Sequence, residues 1–317
     1  MQKVHVRRSL QAVACAAVLA ALGTGCSEIQ EPVADEVLPL AAVGEFSKPR
    51  SVPTRGRIVF SAELTGDPEI YSVLENGTGL VRLTYSPGID RYPTWSPDGR
   101  KIAFVSHRAD GAQIYSMNAD GSGVKRLTSF PVGHIQHLRW SPDGRRIAFA
   151  RTEATLDEES DLYTMSSNGR SVVRLTNRPG NDEHPTWSPD GTMLLFQTGA
   201  GQQFGDGRIH RMNADGTGEV VVLECAAGCF QPAWSPDGTQ FLFRSEGALH
   251  AYHFAHGFSI HVRDHAARGI YSPDGVKIAY VDIEIAANSS MFTINAMGGE
   301  PTQVTTYRPE DQLDWGR

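Results

Sequence analysis

The chain has 317 residues, 40% of them hydrophobic and 21% charged, which is the composition of a globular protein with room for one large all-β domain or two smaller ones. Its formal net charge of −7 disfavours a nucleic-acid partner, since proteins that grip phosphate backbones are basic. The 32 glycines and 18 prolines imply many tight turns.

Residues 1–25 read as an export signal. Lys3, Arg7 and Arg8 form a basic head, and Leu10–Leu22 is an Ala- and Leu-rich apolar stretch too short to span a bilayer. Gly23-Thr24-Gly25 then leads to Cys26, an arrangement that resembles a bacterial lipoprotein signal. That resemblance implies lipidation of Cys26 and an anchor in the membrane; Ser27 after it favours the outer membrane, facing the periplasm. An ordinary signal peptide with an incidental cysteine is the alternative. Residues 26–55 carry five acids and scattered prolines without a period of 2 or 3.6, the pattern of a flexible tether.

From residue 56 to 317 one pattern repeats. Trp-Ser-Pro-Asp-Gly stands at Trp95–Gly99, Trp140–Gly144, Trp187–Gly191 and Trp234–Gly238; Tyr271–Gly275 has Tyr for Trp, and Trp315-Gly316 is a truncated copy. All five tryptophans occupy this slot, at successive spacings of 45, 47, 47, 37 and 44 residues. A period of roughly 40–45 residues with strand-rich content marks propeller blades. Within each unit a strand ends at the aromatic residue, and Ser-Pro-Asp-Gly suits a type I turn. A continuous apolar strand follows, as in Ile102-Ala103-Phe104 or Ile147-Ala148-Phe149, implying burial on both faces. Ile114-Tyr115 and Leu162-Tyr163 mark a third strand, Asp120-Gly121 a hairpin turn, and Arg-Leu-Thr at Arg82–Thr84, Arg126–Thr128 and Arg174–Thr176 the fourth. The first unit lacks a motif strand and the last segment, Gln312–Arg317, is a motif strand alone. The two fragments complete one blade, closing a ring of six four-stranded antiparallel blades; an open solenoid would need capping repeats, and none is visible.

These repeats resemble those of the TolB-like six-bladed β-propeller family, over roughly residues 57–317. The resemblance implies a binding or scaffold module of the cell envelope that meets partners at one mouth of its channel. The family's namesake carries a small α/β domain before the propeller, which the 30-residue tether here cannot supply. Prolyl oligopeptidase relatives pair such propellers with a hydrolase domain, but no Gly-x-Ser-x-Gly occurs in this chain.

The residue three places before each motif aromatic is polar in every unit: Tyr92, His137, His184, Gln231, Arg268 and Gln312. With the motif strand innermost, these six form a ring at the channel mouth, and Arg91, Glu183 and Asp311 add charge beside it. The ring reads either as a hydrated channel entrance or as a recognition surface for a protein segment or small ligand. His137, His184 and Gln231 are candidate ligands for Mn²⁺ or Zn²⁺. They are similar to the His and Gln residues that hold a metal in oligogalacturonate lyases, which leaves a metal-dependent saccharide lyase or hydrolase as the alternative. The favoured reading is non-catalytic, without a cofactor or metal, and monomeric.

The motif tryptophans read as wedges packed between blades rather than as ligand platforms. Blade five carries His250, His253, His256, His261 and His265, but the odd spacing of His250 and His253 puts them on opposite strand faces. Cys225 and Cys229 flank Ala226-Ala227-Gly228, and in an exported protein they read as a disulfide.

Overall fold

The computed structural model describes residues 56–109, 111–153, 159–199, 207–283 and 290–316. The export signal, Cys26 and the tether lie outside the described residues. Six four-stranded antiparallel sheets make the molecule. Blade one holds β1 (Arg57–Ala62), β2 (Glu69–Leu74) and β3 (Val81–Arg82); blade two holds β4 (Asp90–Trp95), β5 (Lys101–Ala109), β6 (Gly111–Asn118) and β7 (Lys125–Arg126). Blade three is β8 (His134–Trp140), β9 (Arg146–Thr152), β10 (Asp161–Ser166) and β11 (Val173–Arg174). Blade four is β12 (Asn181–Trp187), β13 (Met193–Gly199), β14 (Arg208–Asn213) and β15 (Val220–Glu224). Blade five is β16 (Phe230–Trp234), β17 (Gln240–Ser245), β18 (Ala248–His253) and β19 (Phe258–Arg263); blade six is β20 (Ala266–Tyr271), β21 (Lys277–Asp282), β22 (Met291–Asn295) and β23 (Thr302–Gln303). The last strand, β24 (Asp314–Trp315), pairs with β1 through Ile58↔Trp315 and Val59↔Asp314. The first and last described strands thus share blade one, which removes the open sheet edge a six-blade ring would otherwise leave.

The repeated residues have separate structural tasks. In each turn the Ser hydroxyl donates to the Asp carboxylate, at 2.6 Å for Ser96–Asp98, and accepts the N–H of Lys101 at 2.9 Å. This hydroxyl holds the Asp98 carboxyl below its usual range. Gly99 closes the turn at φ 67°, its N–H donating to Ser96 O at 2.8 Å. The Arg-Leu-Thr element is a clasp. Thr84 Oγ1 accepts the Ile70 N–H at 2.9 Å, and Arg82 pairs with Glu69 at 2.6 Å. The same clasp recurs at Thr176 with Leu162, and at Arg174 with Asp161.

Second strands are buried on both faces, with Ile102, Ala103 and Phe104 all at zero exposure. Each such large side chain contributes about 1.5–3 kcal/mol of burial. The motif tryptophans are interblade wedges. Trp95 packs with Val59 and Ile70 of blade one and Ile102 and Phe104 of its own blade. Trp187 packs with Ala148 and Leu162 of blade three, and its Nε1–H donates to Arg139 O at 3.1 Å.

Candidate functional site

The innermost strands β4, β8, β12, β16, β20 and β24 surround the channel, and a bulge interrupts five of them at one place. Pairing of β4 with β5 jumps from Arg91↔Val105 to Thr94↔Ala103, and β8, β12, β16 and β20 skip at the equivalent positions. Two residues there oppose one on the neighbouring strand. Pro93, Pro185 and Pro232 fit this position because the bulge demands no ladder N–H from them. The first residue of each of the five bulges takes a left-handed backbone: Tyr92 at φ 53°, His137 57°, His184 53°, Gln231 56° and Arg268 56°. For non-glycine residues this costs about 1–2 kcal/mol each. Five of the six ring positions are therefore the strained ones, and the strain is held by the blade ladders on either side.

The bulges bring the ring together. A cavity of about 30 Å³ is lined by His137, His184, Gln231, Arg268, Asp311 and Gln312, among others. Tyr92 lies just outside it, edge-on to His137 with ring centroids 5.0 Å apart. His137 and His184 stack at 3.5 Å. Gln312 is a strut: it is 5% exposed, and its Nε2 donates to Pro93 O at 2.9 Å and Leu138 O at 2.7 Å. The segment leading into β24 is thereby tied to blades two and three.

Arg91 and Glu183 help line an adjoining pocket of about 350 Å³, together with Tyr92, His107, His134 and Gln136. Arg91 pairs with Glu310 at 2.6 Å and stands 3.8 Å from Asp311. Hydrogen bonds run from blade to blade. Tyr92 OH donates to Gln136 Oε1 at 3.4 Å, and Gln136 Nε2 donates to Glu183 Oε1 at 3.0 Å. Gln197 Oε1 accepts the Gln231 N–H at 2.9 Å, and Gln231 Oε1 accepts the Arg268 N–H at 3.1 Å.

Burial sets the electrostatics. It pushes the His184 imidazole from 6.5 to about 3, with the charges of Arg139 and Arg268 adding to the effect. His137 is driven well below its ordinary value by the same cause and by His184 beside it. Both rings are neutral at physiological pH. Burial raises the Glu183 and Asp311 carboxyls, against the hydrogen bonds from Ser160 and Gln136 and from Ser61 respectively.

Each sequence-predicted residue has a place here, though not always the expected one. Gln231, a candidate metal ligand only in the alternative reading, has its side-chain oxygen accepting the Arg268 N–H. Glu183, expected only as a neighbouring charge, is the group whose ligand atom clusters with those of His137 and His184, all within 4.8 Å of one another. Gln136, Arg139 and Asp314 were missed. Gln136 stands in the same repeat column as Arg91, Glu183 and Asp311, so that column carried the signal. Arg139 and Asp314, 4.0 Å apart, are the charged members of the column just before the motif aromatic. The blade-five histidines form two separate contacts, His250 with His261 at 5.6 Å and His253 with His256 at 6.3 Å. Cys225 and Cys229 are joined as a disulfide, with Cα atoms 5.5 Å apart.

The family model of the TolB β-propeller domain matches residues 40–135 and 129–256. A protein TolB homolog of Chlorobium chlorochromatii (strain CaD3) is 58% identical over 43 residues, 14% of this chain and 10% of that protein. Its counterpart in Chlorobium luteolum (strain DSM 273 / BCRC 81028 / 2530) is 44% identical over 55 residues, 17% of this chain and 13% of that protein. The chain thus spans only about a tenth of the length of these curated relatives. The crystal structure of TolB from Acinetobacter baumannii superposes with a TM-score of 0.69 at 21% identity, covering 82% of this chain and 66% of that one. At that identity the superposition speaks for the fold alone.

Proposed function

The chain belongs to the TolB β-propeller domain family, and from that premise we propose that it is a non-catalytic recognition module of the bacterial cell envelope. It binds a segment of an envelope protein at the channel end carrying Tyr92, His137, His184, Gln231 and Arg268. The observation that carries this reading is the coincidence of strain and variety. Five bulges hold five polar residues of four kinds in left-handed backbone around one opening, and a packing role alone does not call for that variety. Arg91, Glu183 and Asp311 supply charges that orient a partner more than they bind it. Gln312 braces the opening through its bonds to Pro93 O and Leu138 O, so the ring is a fixed surface for a partner to meet. The chain is exported and anchored through a lipid on Cys26, with the tether setting its reach from the outer membrane.

Photo-crosslinking tests the reading. A crosslinking residue at position 91 is expected to give a discrete adduct with one envelope protein, whereas position 190, in an exposed motif turn, gives none. Equal adducts at both positions, or none at 91, would sink the proposal. Labelling with a palmitate analogue tests the anchor separately, and label retained in Cys26→Ser removes it.

A further inference from the structure

The carboxylates around the channel are not treated alike. Asp311 faces Arg91 at 3.8 Å, Glu310 pairs with Arg91 at 2.6 Å, and Asp314 lies 4.0 Å from Arg139. On β12, next to Glu183 itself, Asp182 pairs with Arg178 at 2.8 Å. Glu183 is largely buried and, among the described residues, pairs with no Lys or Arg. Its oxygens accept only neutral donors: Gln136 at 3.0 Å, Ser160 at 3.4 Å and Gln197 at 3.4 Å. A buried carboxylate without a counter-charge is costly unless a cation completes it. Two imidazoles stand beside this one, and Nδ1 of His137, a residue 8% exposed, has no hydrogen-bond partner.

We propose that His137, Glu183 and His184 bind one divalent transition-metal ion, with Zn²⁺ the best match. Two nitrogens and one carboxylate oxygen are a borderline-soft set that selects Zn²⁺ over Mg²⁺ or Ca²⁺ and leaves a position open. Glu183 is already held by three outer donors, the kind of support that orients a metal-ligating group. The adjoining cavity of about 30 Å³ has the volume of about one water molecule, enough for a further ligand on the ion. The ligand atoms lie within 4.8 Å of one another, whereas atoms on one tetrahedral Zn²⁺ stand about 3.4 Å apart. Binding therefore draws the three together and turns the imidazoles out of their stack. Arg139 and Arg268 oppose a cation here, but Asp314 beside Arg139 and Asp311 beside Arg268 offset them. The proposal does not rest on partner recognition, and either can fail alone.

The test is titration of the purified chain with Zn²⁺ against a chromogenic chelator, with Co²⁺ absorption reporting the coordination. One ion per chain is expected at the site. Glu183→Gln keeps the side-chain shape and is expected to weaken binding at least tenfold. The His137→Gln/His184→Gln double variant is expected to abolish it. His253→Ala/His256→Ala removes surface imidazoles and is expected to bind as the parent does. Absence of binding, or binding unchanged in Glu183→Gln and in the histidine pair, overturns the proposal, as does loss only in the surface variant. Circular dichroism checks each fold; should the double histidine variant fail to fold, Glu183→Gln decides alone.

Discussion

The channel has two ends built from the same six strands, only a few residues apart, and they are opposites. At one end the motif aromatics and prolines line an opening of about 210 Å³ with nearly the same residues from every blade. There Gly144, Gly191, Gly238 and Gly275 each sit against the preceding blade's proline, as Gly144 does on Pro97, where a Cβ would come to 3.4 Å. At the other end the ring differs in almost every blade and is held in strained backbone. Repetition serves the first because every blade has to meet its neighbour in the same way. Variety at the second is what the proposed recognition of an asymmetric partner would call for. The difference teaches that positions fixed by assembly and positions free to vary can alternate along one strand within three residues.

Substitutions that separate the two ends test this contrast. The largest effect belongs to the repeated end. Trp187→Ala is expected to cost about 3–5 kcal/mol in chemical denaturation, since it opens a cavity between blades three and four and loses the bond to Arg139 O. A loss below 1 kcal/mol would show that the wedge is dispensable. Gln312→Ala leaves two buried carbonyls without their donor, and a loss of about 2 kcal/mol is expected. If stability is unchanged, the strut has no structural weight and Gln312 belongs with the recognition residues.

The histidines give a pH signature. His184 titrates at 6.5 in the unfolded chain and about 3 in the fold. A depressed value means that the unfolded state takes up the proton first. His184 therefore withdraws stability as pH falls below about 6.5, progressively toward 3. The raised carboxyls of Glu183, Asp311 and Asp314 act in the opposite direction. Comparing the chain with His184→Gln isolates the histidine: the parent is expected to show the steeper loss, by about 1.4 kcal/mol per pH unit at most. Parallel pH curves would mean that the ring is not buried. Ser96→Ala removes one turn hydroxyl and is expected to cost about 1 kcal/mol. The smallest stability effect is expected from Arg91→Ser, about 0.5 kcal/mol or less because its ion pairs are partly exposed. A large stability loss there would move Arg91 from recognition to architecture.

The amino-acid sequence was enough to determine the ring of six blades. Trp-Ser-Pro-Asp-Gly, the apolar second strands and Arg-Leu-Thr are local signals repeated at near-constant spacing, and the split blade at the two ends left one way to close. The ring of polar residues three places before each aromatic was also legible, because a column of repeats can be read without coordinates. The bulge was not. Its signature, prolines at 93, 185 and 232, is shared with ordinary turns, and only pairing with the second strand shows which residues are skipped. Nor could sequence decide which polar groups meet. Glu183 and Gln231 both neighbour the histidines in the repeat order, yet the left-handed backbone turns one set of atoms together and commits the Gln231 oxygen to a backbone N–H. Gln312 looked like one more mouth residue, but as part of the closing strand it reaches across to two other blades. Repeat spacing is a one-dimensional property and survives in the sequence. Burial, charge pairing and ligand convergence depend on distances across the channel, between residues as far apart as Pro93 and Gln312, and only the closed ring sets those distances.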